Sequence, residues 1–386
     1  MNLLQPYILL YKTVFLILVG TLVVFSLRKK YENHPFEKYD SFGSWIIFFI
    51  LSLFIGFRNE TVGTDTSSYV SFFHSSQFLY NGEPTDLFFE LFARLIHVVS
   101  PHTETFIAMT GVVSLFGIFF LIQKKSEHKC MSWILFCISG SCFVTLFLYL
   151  SAIRQACSIT FFILAVYIFF EEPFQKKKCI VYSAIFYIIA VLMHGSTLVS
   201  FPFLLLIKKG TCFRKHTWVV LLLVTYTLAA LNISFANTIT STIFQWIGPN
   251  KYGGYGSISF GFITPRGVFN MILLPFMALA MIVLFSAKKN FYKEWYVQCF
   301  LYSVLLNNIF FDNLMWSRLI LCLAIFLIVA LPNALSYKSF KIKMCYYIPI
   351  LSYYLYKSMT YLATNFYDIG NIIVPYRSWF LDPLFY

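Results

Sequence analysis

Charged residues are scarce in this chain. They make up 12% of its 386 residues, against 59% hydrophobic residues and a mean hydropathy of +0.74. A soluble domain has about 25% charged residues, so this composition excludes a soluble enzyme or a soluble binding module. Uncharged apolar stretches long enough to cross a bilayer recur from end to end. We therefore predict a single polytopic, all-α membrane domain over residues 1–386.

Several chemical signatures are also missing. The nine cysteines include no C-x-x-C pair and no zinc-ligand spacing, and no D-x-D motif occurs in a loop. We therefore predict no metal and no cofactor. No internal repeat is present, and residues 251–256 lack the strand–loop–helix context of a nucleotide loop. Residues 7–27 are too long for a signal peptide and lack a small-residue cleavage site, so they are predicted as the first span.

The apolar stretches number about twelve and alternate with lysine-rich connections. The predicted spans are 7–27, 42–57, 104–123, 131–149, 152–170, 179–194, 196–207, 217–235, 266–286, 295–311, 317–335 and 344–360. Eighteen of the 21 lysines lie in every second connection: 28–41, 124–130, 171–178, 208–216, 287–294 and 336–343. By the positive-inside rule these connections are cytoplasmic, which predicts both termini on the outer side.

The net charge of +13 lies entirely on the predicted inner side, whereas basic and acidic residues balance on the outer side. The excess is therefore an anchor to anionic membrane lipids, and it argues against a nucleic-acid partner. Arginine outnumbers lysine six to three on the outer side. Topology accepts either cation, but arginine is the residue that grips phosphate or carboxylate with a fixed fork. This bias predicts an outward-facing anion site.

Two outer connections are long, 58–103 and 236–265. In the first, Gly63 marks a turn, and Asp65 or Thr66 is expected to cap a helix over 67–80. Residues 85–99 read as an amphipathic helix that lies in the membrane interface. The second connection is rich in glycine and tyrosine, which suits sugar faces but is equally typical of an interfacial aromatic belt.

Residues 151–195 predict one membrane hairpin with Arg154 and His194 at the same depth. Arg154 lies 17 residues before Glu171, and His194 lies 16 residues after Lys178, so each is about 25 Å from the lysine-rich tip. Arg154 and Gln155 are expected to open a helix that starts at Ser151, where unpaired N–H groups favour an anion. His194 precedes a helix break at Gly195 and is suited to accept a proton. The alternative is an interfacial arginine bound to lipid phosphate and a helix-end histidine.

Charged residues at three further places in the chain have both a functional and a structural interpretation. Arg58 and Asp65 flank the first outer turn, where they either contact substrate or form a local ion pair. Asp312 and Arg318 bracket another outer turn with the same two alternatives. Arg377, which follows Tyr376 near the C-terminus, either contacts substrate or anchors on lipid phosphate.

Taken together, these motifs resemble those of the EpsG family of Wzy-type polysaccharide polymerases. The matching segments are Arg58 with Gly63-Thr64-Asp65 and the later Tyr69, then Ile153-Arg154-Gln155, then His194-Gly195-Ser196, followed by Arg318-Leu319 and Pro375-Tyr376-Arg377. The family often has His-Lys-Ser or His-x-Ser where this chain has His194-Gly195-Ser196.

The resemblance implies a GT-C-like, metal-independent, inverting glycosyltransferase of the bacterial inner membrane. It implies a periplasm-facing site that polymerises undecaprenyl-diphosphate-linked oligosaccharide repeats into O-antigen or capsule, and a Wzz-type chain-length regulator as a possible partner. On this basis His194 or Asp65 is the catalytic base. Arg154, Arg318, Arg58 and Arg377 are expected to bind the diphosphate, and Gln155, Tyr69 and Tyr376 to contact substrate.

Three other classes remain as alternatives. A lipid-linked oligosaccharide flippase favours short loops and internal repeats, whereas this chain has two long outer loops. A membrane O-acyltransferase needs a cytoplasmic donor site, yet no predicted cytoplasmic loop exceeds about 14 residues. An O-antigen ligase carries out the same chemistry on a different acceptor, and the residues do not exclude it.

Overall fold

A computed structural model describes residues 36–75, 87–139, 145–171, 177–208, 213–231, 265–283, 291–311, 314–336, 338–365 and 378. These residues are helical with short connections. The helices, in chain order, are α1 (Phe36–Gly56), α2 (Thr66–His74), α3 (Leu87–Val99), α4 (Thr103–Lys125), α5 (Lys129–Ile138), α6 (Thr145–Ser151), α7 (Ile153–Glu171), α8 (Lys177–Met193), α9 (Phe201–Lys208), α10 (Lys215–Ala230), α11 (Pro265–Val283), α12 (Trp295–Ile309), α13 (Leu314–Ala324), α14 (Leu327–Ser336) and α15 (Phe340–Asn365). Two short 3-10 helices are Gly195–Ser200 and Phe291–Lys293.

Within the described ranges, four helical segments are long and apolar enough to cross a membrane. They are Tyr39–Gly56, Thr103–Lys125, Ile153–Glu171 and Arg318–Ser336. Large apolar side chains lie exposed along whole helix faces, which a water-soluble protein avoids. On α1 these are Tyr39, Phe42, Trp45, Ile46, Phe49, Ile50 and Leu53. The all-helical membrane class is thus supported, while the count of twelve spans and the GT-C-like arrangement stay predictions.

Several predicted spans are shorter or broken in the structure. The sequence of the predicted span 131–149 is interrupted by Ser139-Gly140-Ser141, and the structure describes two helices there, α5, which ends at Ile138, and α6, which begins at Thr145. The predicted span 196–207 begins as a 3-10 helix and becomes α-helical at Phe201. The span 317–335 is interrupted between α13 and α14. The predicted first span, 7–27, lies outside the described residues.

The helices group into two compact units. One contains the described residues up to Gly195 together with those from Tyr354 on, and the other contains the described residues of Ser196–Tyr353. In the second unit, α12 is the central helix and is buried along almost its whole length. Its Asn308 donates a hydrogen bond to Thr225 Oγ1 on α10, 3.1 Å away. The prediction of one membrane domain concerns the whole chain and stays a prediction.

In the first unit, α4 packs closely against both α1 and α7 through small residues. A Cβ atom on Gly117 would lie 2.5 Å from Thr160 Cα on α7, and a Cβ on Gly56 would lie 3.2 Å from Ala108 Cα. Thr160 Oγ1 is 2.8 Å from the carbonyls of both Val113 and Ser114. Small residues and hydroxyls at close helix crossings are the usual packing device of membrane bundles.

The amphipathic helix predicted over 85–99 is α3, and it buries only one of its faces. Phe89, Ala93 and Ile96 pack into the core of the first unit. The stripe Leu87, Leu91, Leu95 and Val98 is exposed instead. An exposed apolar stripe next to spanning helices fits an interfacial position, which stays a prediction.

Candidate functional site

The first outer turn depends on Gly63. Its φ is +97°, and a Cβ atom there would lie 2.2 Å from the carbonyl oxygen of Leu150 and 2.7 Å from Thr66 Oγ1. Only glycine adopts this backbone without strain, and no side chain fits in the remaining space. The motif Gly63-Thr64-Asp65 therefore requires glycine at its first position for a structural reason.

This turn packs on the end of α6, immediately before the segment Ile153-Arg154-Gln155. Thr66 Oγ1 lies 2.8 Å from the Val62 carbonyl oxygen and 3.1 Å from that of Leu150. The backbone N–H of Thr64 donates to Ser151 Oγ at 3.3 Å. Two segments that are nearly 90 residues apart in sequence are thereby brought into contact.

The sequence predicts that the helix that carries Arg154 starts at Ser151. In the structure this helix begins at Ile153. Ser151 is the last residue of α6, and the single residue Ala152 connects the two helices. Its N–H donates to the Leu148 carbonyl (2.7 Å), and its carbonyl accepts from Ala156 N–H (3.0 Å). The interruption is this short because the backbone hydrogen bonding continues across it. Arg154 remains in the first turn of α7.

Tyr69 of α2 holds the guanidinium of Arg154. Arg154 Nε donates to Tyr69 Oη at 3.3 Å, and the guanidinium carbon lies 5.2 Å from the centre of the Tyr69 ring. Phe89 of α3 supports that ring from another side, with centroids 5.8 Å apart. Arg154 is half-buried. The cation is therefore fixed by an aromatic contact rather than left mobile.

His194 lies opposite Arg154 in the α7–α8 hairpin. Ser158 Oγ donates to the Ala190 carbonyl (2.7 Å), and Ser183 Oγ donates to that of Ala165 (2.9 Å). Both hydrogen bonds obey one antiparallel register, and that register places Arg154 level with His194. Helix α8 ends at Met193, directly before the half-buried His194. The predicted helix break is present in the structure, and the register agrees with the predicted common level of the two residues, whose depth in a membrane stays a prediction.

Gly195 differs from Gly63 in being sterically unconstrained. It is exposed, and a Cβ atom added to it would meet no atom within 4 Å. A larger residue therefore fits at this position, in keeping with the His-Lys-Ser variant of the motif.

Arg58 and Asp65 occupy the same turn in different environments. Arg58 is completely buried, and its Nη1 donates to the Ile55 carbonyl. Asp65 is half-exposed at the N-cap position of α2, where its carboxylate makes no capping hydrogen bond. Among the residues that the structure describes, no ion pair joins the two side chains.

The chain's C-terminal part reaches this turn through Ser378. Ser378 forms an isolated antiparallel bridge with Arg58, and its Oγ donates to the Phe57 carbonyl at 2.8 Å. Its side chain is buried. The neighbouring Arg377 is a predicted site residue, but no sequence pattern indicates this long-range contact.

The remaining predicted site residues are placed differently. Gln155 is buried in the helix packing, at 1% exposure. Arg318 is half-buried on α13 and belongs to the second unit. Arg377, Tyr376 and Asp312 lie outside the described residues. In the described ranges, no group of three or more His, Cys, Asp or Glu side chains is arranged to hold a metal ion.

The geometry of Gly63 predicts a strong effect of a single methyl group. Gly63→Ala forces an L-residue into the left-handed region and a Cβ atom into the Leu150 carbonyl, which we expect to destabilise the protein by at least about 2 kcal/mol. Thermal unfolding in detergent measures this loss.

Gly195→Ala is the matched control, because its Cβ enters open space. We expect its unfolding midpoint to stay at the wild-type value. Equal midpoints for the two variants would contradict the packing of the turn on α6.

The long apolar helices, their exposed apolar faces and the buried polar contacts between them define a polytopic helical membrane protein. The sequence profile of the EpsG family matches residues 44–378, which is most of the chain. The chain belongs to the EpsG family, whose members are Wzy-type polymerase-like membrane proteins. At this coarse level, membership of the family indicates a glycosyltransferase-like and polysaccharide polymerase-like function in a membrane. No curated protein and no solved structure matches it.

Proposed function

We propose that this protein polymerises undecaprenyl-diphosphate-linked oligosaccharide repeats into O-antigen or capsular polysaccharide. In this proposal it is a GT-C-like enzyme of the bacterial inner membrane with its site facing the periplasm. The observation that carries the proposal is the placement of Arg154 and His194 at one level of adjacent helices, beside the Gly63 turn. The diphosphate of a membrane-anchored donor needs a cation, and the hydroxyl of the acceptor sugar needs a base close to that cation.

The proposed reaction is a displacement at the anomeric carbon with inversion. The acceptor hydroxyl gives its proton to His194 or Asp65 while its oxygen forms a bond to the anomeric carbon. The bond from that carbon to the diphosphate breaks, and undecaprenyl diphosphate leaves with the electron pair. General-base catalysis of this kind contributes about 100- to 10,000-fold in rate.

Arginine neutralises the developing charge in this proposal, and no metal takes part. Arg154 is the main diphosphate ligand, because it is half-buried and held by Tyr69. Arg318 and Arg377 are proposed as further ligands. Arg58 contributes its positive charge from a buried position and shapes the turn. Fixed cations act most strongly on charge that develops in the transition state.

A surface-polysaccharide ladder tests the proposed function. Cells lacking the protein are expected to show a lipid core capped by a single repeat, because export and ligation continue while polymerisation stops. Expression of the wild-type protein is expected to restore the ladder, and an empty vector is the control.

Two outcomes would contradict the proposal. A complete absence of repeats on the core would indicate a flippase or a ligase. An unchanged ladder in the deletion strain would show that another protein performs the polymerisation.

A further inference from the structure

Two serine hydroxyls connect α7 to α8 by the same type of hydrogen bond. Ser158 on α7 donates to the Ala190 carbonyl on α8, and Ser183 on α8 donates to the Ala165 carbonyl on α7. Both serines are buried, at 0% and 6% exposure. In an apolar helix pair, a hydroxyl that bonds a carbonyl of the partner fixes the axial register of the two helices.

The two hydrogen bonds differ in what lies next to them. The Ala190 carbonyl that accepts from Ser158 also accepts the backbone N–H of His194, at 3.0 Å. Ser158 lies one helical turn after Arg154. Ser158 is thus on the same helix as Arg154, and its hydroxyl bonds the last turn of α8, which directly precedes His194. Ser183 makes its bond far from this end, close to the connection between the helices.

We propose that Ser158 is a positioning residue that sets His194 against Arg154 for the reaction. This inference rests on the proposed function. Ser158 acts through the Ala190 carbonyl and the His194 backbone, and it touches no substrate. Without its hydroxyl the last turn of α8 is free to shift relative to α7. A displacement of about 1 Å at a reacting group reduces a rate by up to about 100-fold.

The pair Ser158→Ala and Ser183→Ala separates positioning from stability. Each variant removes a buried hydroxyl that donates to a carbonyl of the partner helix in the same helix pair. The full-length variants are reconstituted in proteoliposomes with lipid-linked repeats, and kcat, KM and the thermal midpoint are measured. We expect similar small decreases in midpoint for both. We expect kcat to fall about tenfold for Ser158→Ala alone, with KM nearly unchanged.

Equal kcat values for the two variants, or a loss at Ser158 that lies only in KM, would overturn the positioning role. If Ser158→Ala does not accumulate, Ser158→Cys is compared with Ser183→Cys. A thiol is a weaker donor than a hydroxyl, and its larger size affects both buried sites, so kcat is expected to be lower for the first variant than for the second. Failure of the proposed function is distinguishable, because the wild-type protein itself would then form no polymer from lipid-linked repeats.

Discussion

Replacing Arg154 by alanine is expected to slow repeat addition by about 100- to 1,000-fold, the usual cost of removing one fixed group that stabilises transition-state charge. Arg154 is the predicted diphosphate ligand that the structure places best. It lies in the first turn of α7, level with His194, with its guanidinium against the Tyr69 ring. The initial rate of polymer formation in proteoliposomes with lipid-linked repeats measures the effect.

Arg154→Lys is expected to recover only part of this loss. Lysine keeps the charge, but it lacks the planar fork and the aromatic stacking that Tyr69 offers. Arg94→Ala is the matched control. Arg94 is an arginine of α3, and it forms a half-buried i,i+4 ion pair with Glu90. Such pairs contribute little, so this variant is expected to polymerise near the wild-type rate. A fast Arg154→Ala enzyme would refute the assigned diphosphate site.

His194→Ala is expected to lower kcat by about 100- to 10,000-fold, the range of general-base catalysis. His194 directly follows the last turn of α8. Its backbone N–H donates to the Ala190 carbonyl, which also accepts from Ser158 Oγ. Single-turnover rates at saturating lipid-linked repeat measure this effect apart from binding. His102→Ala, at an exposed histidine before α4, is the control and is expected to be silent.

Asp65→Asn decides between the two proposed bases. Its carboxylate is half-exposed and makes no capping bond. If His194 is the base, Asp65→Asn keeps most of the activity while His194→Ala does not. The reverse result would give the role to Asp65. Two active variants would show that neither residue takes the proton.

The arrangement within the α7–α8 hairpin was predictable because it depends on local geometry. A constant helical rise and similar distances from one lysine-rich tip are enough to place Arg154 and His194 at one depth. The serine hydrogen bonds between the helices agree with this register. Helix α3 was likewise predictable from its periodicity, since the described residues Leu87–Val99 of the predicted range are helical.

The contacts that join distant segments were not predictable. Gly63 packs on Leu150 because the end of α6 contacts a turn that lies almost 90 residues earlier in the chain. The hydrophobic periodicity of a sequence does not predict such a contact. The burial of Arg58 follows from tertiary packing as well, although the sequence placed this residue at an outer helix end. Ser158 carries no motif signal, since a serine in an apolar helix reads as an ordinary small residue.

The bond between Ser378 and Phe57 also determines when the site is completed during synthesis. Arg58 leaves the ribosome early, yet its bridge partner lies 320 residues further along the chain. At a translation rate of about 5–20 residues per second, roughly 15–60 s pass before Ser378 is made. During this interval the turn lacks a contact that it has in the finished protein. The nascent chain therefore inserts its early helices before this part of the turn is assembled, and the contact forms only once Ser378 has been synthesised.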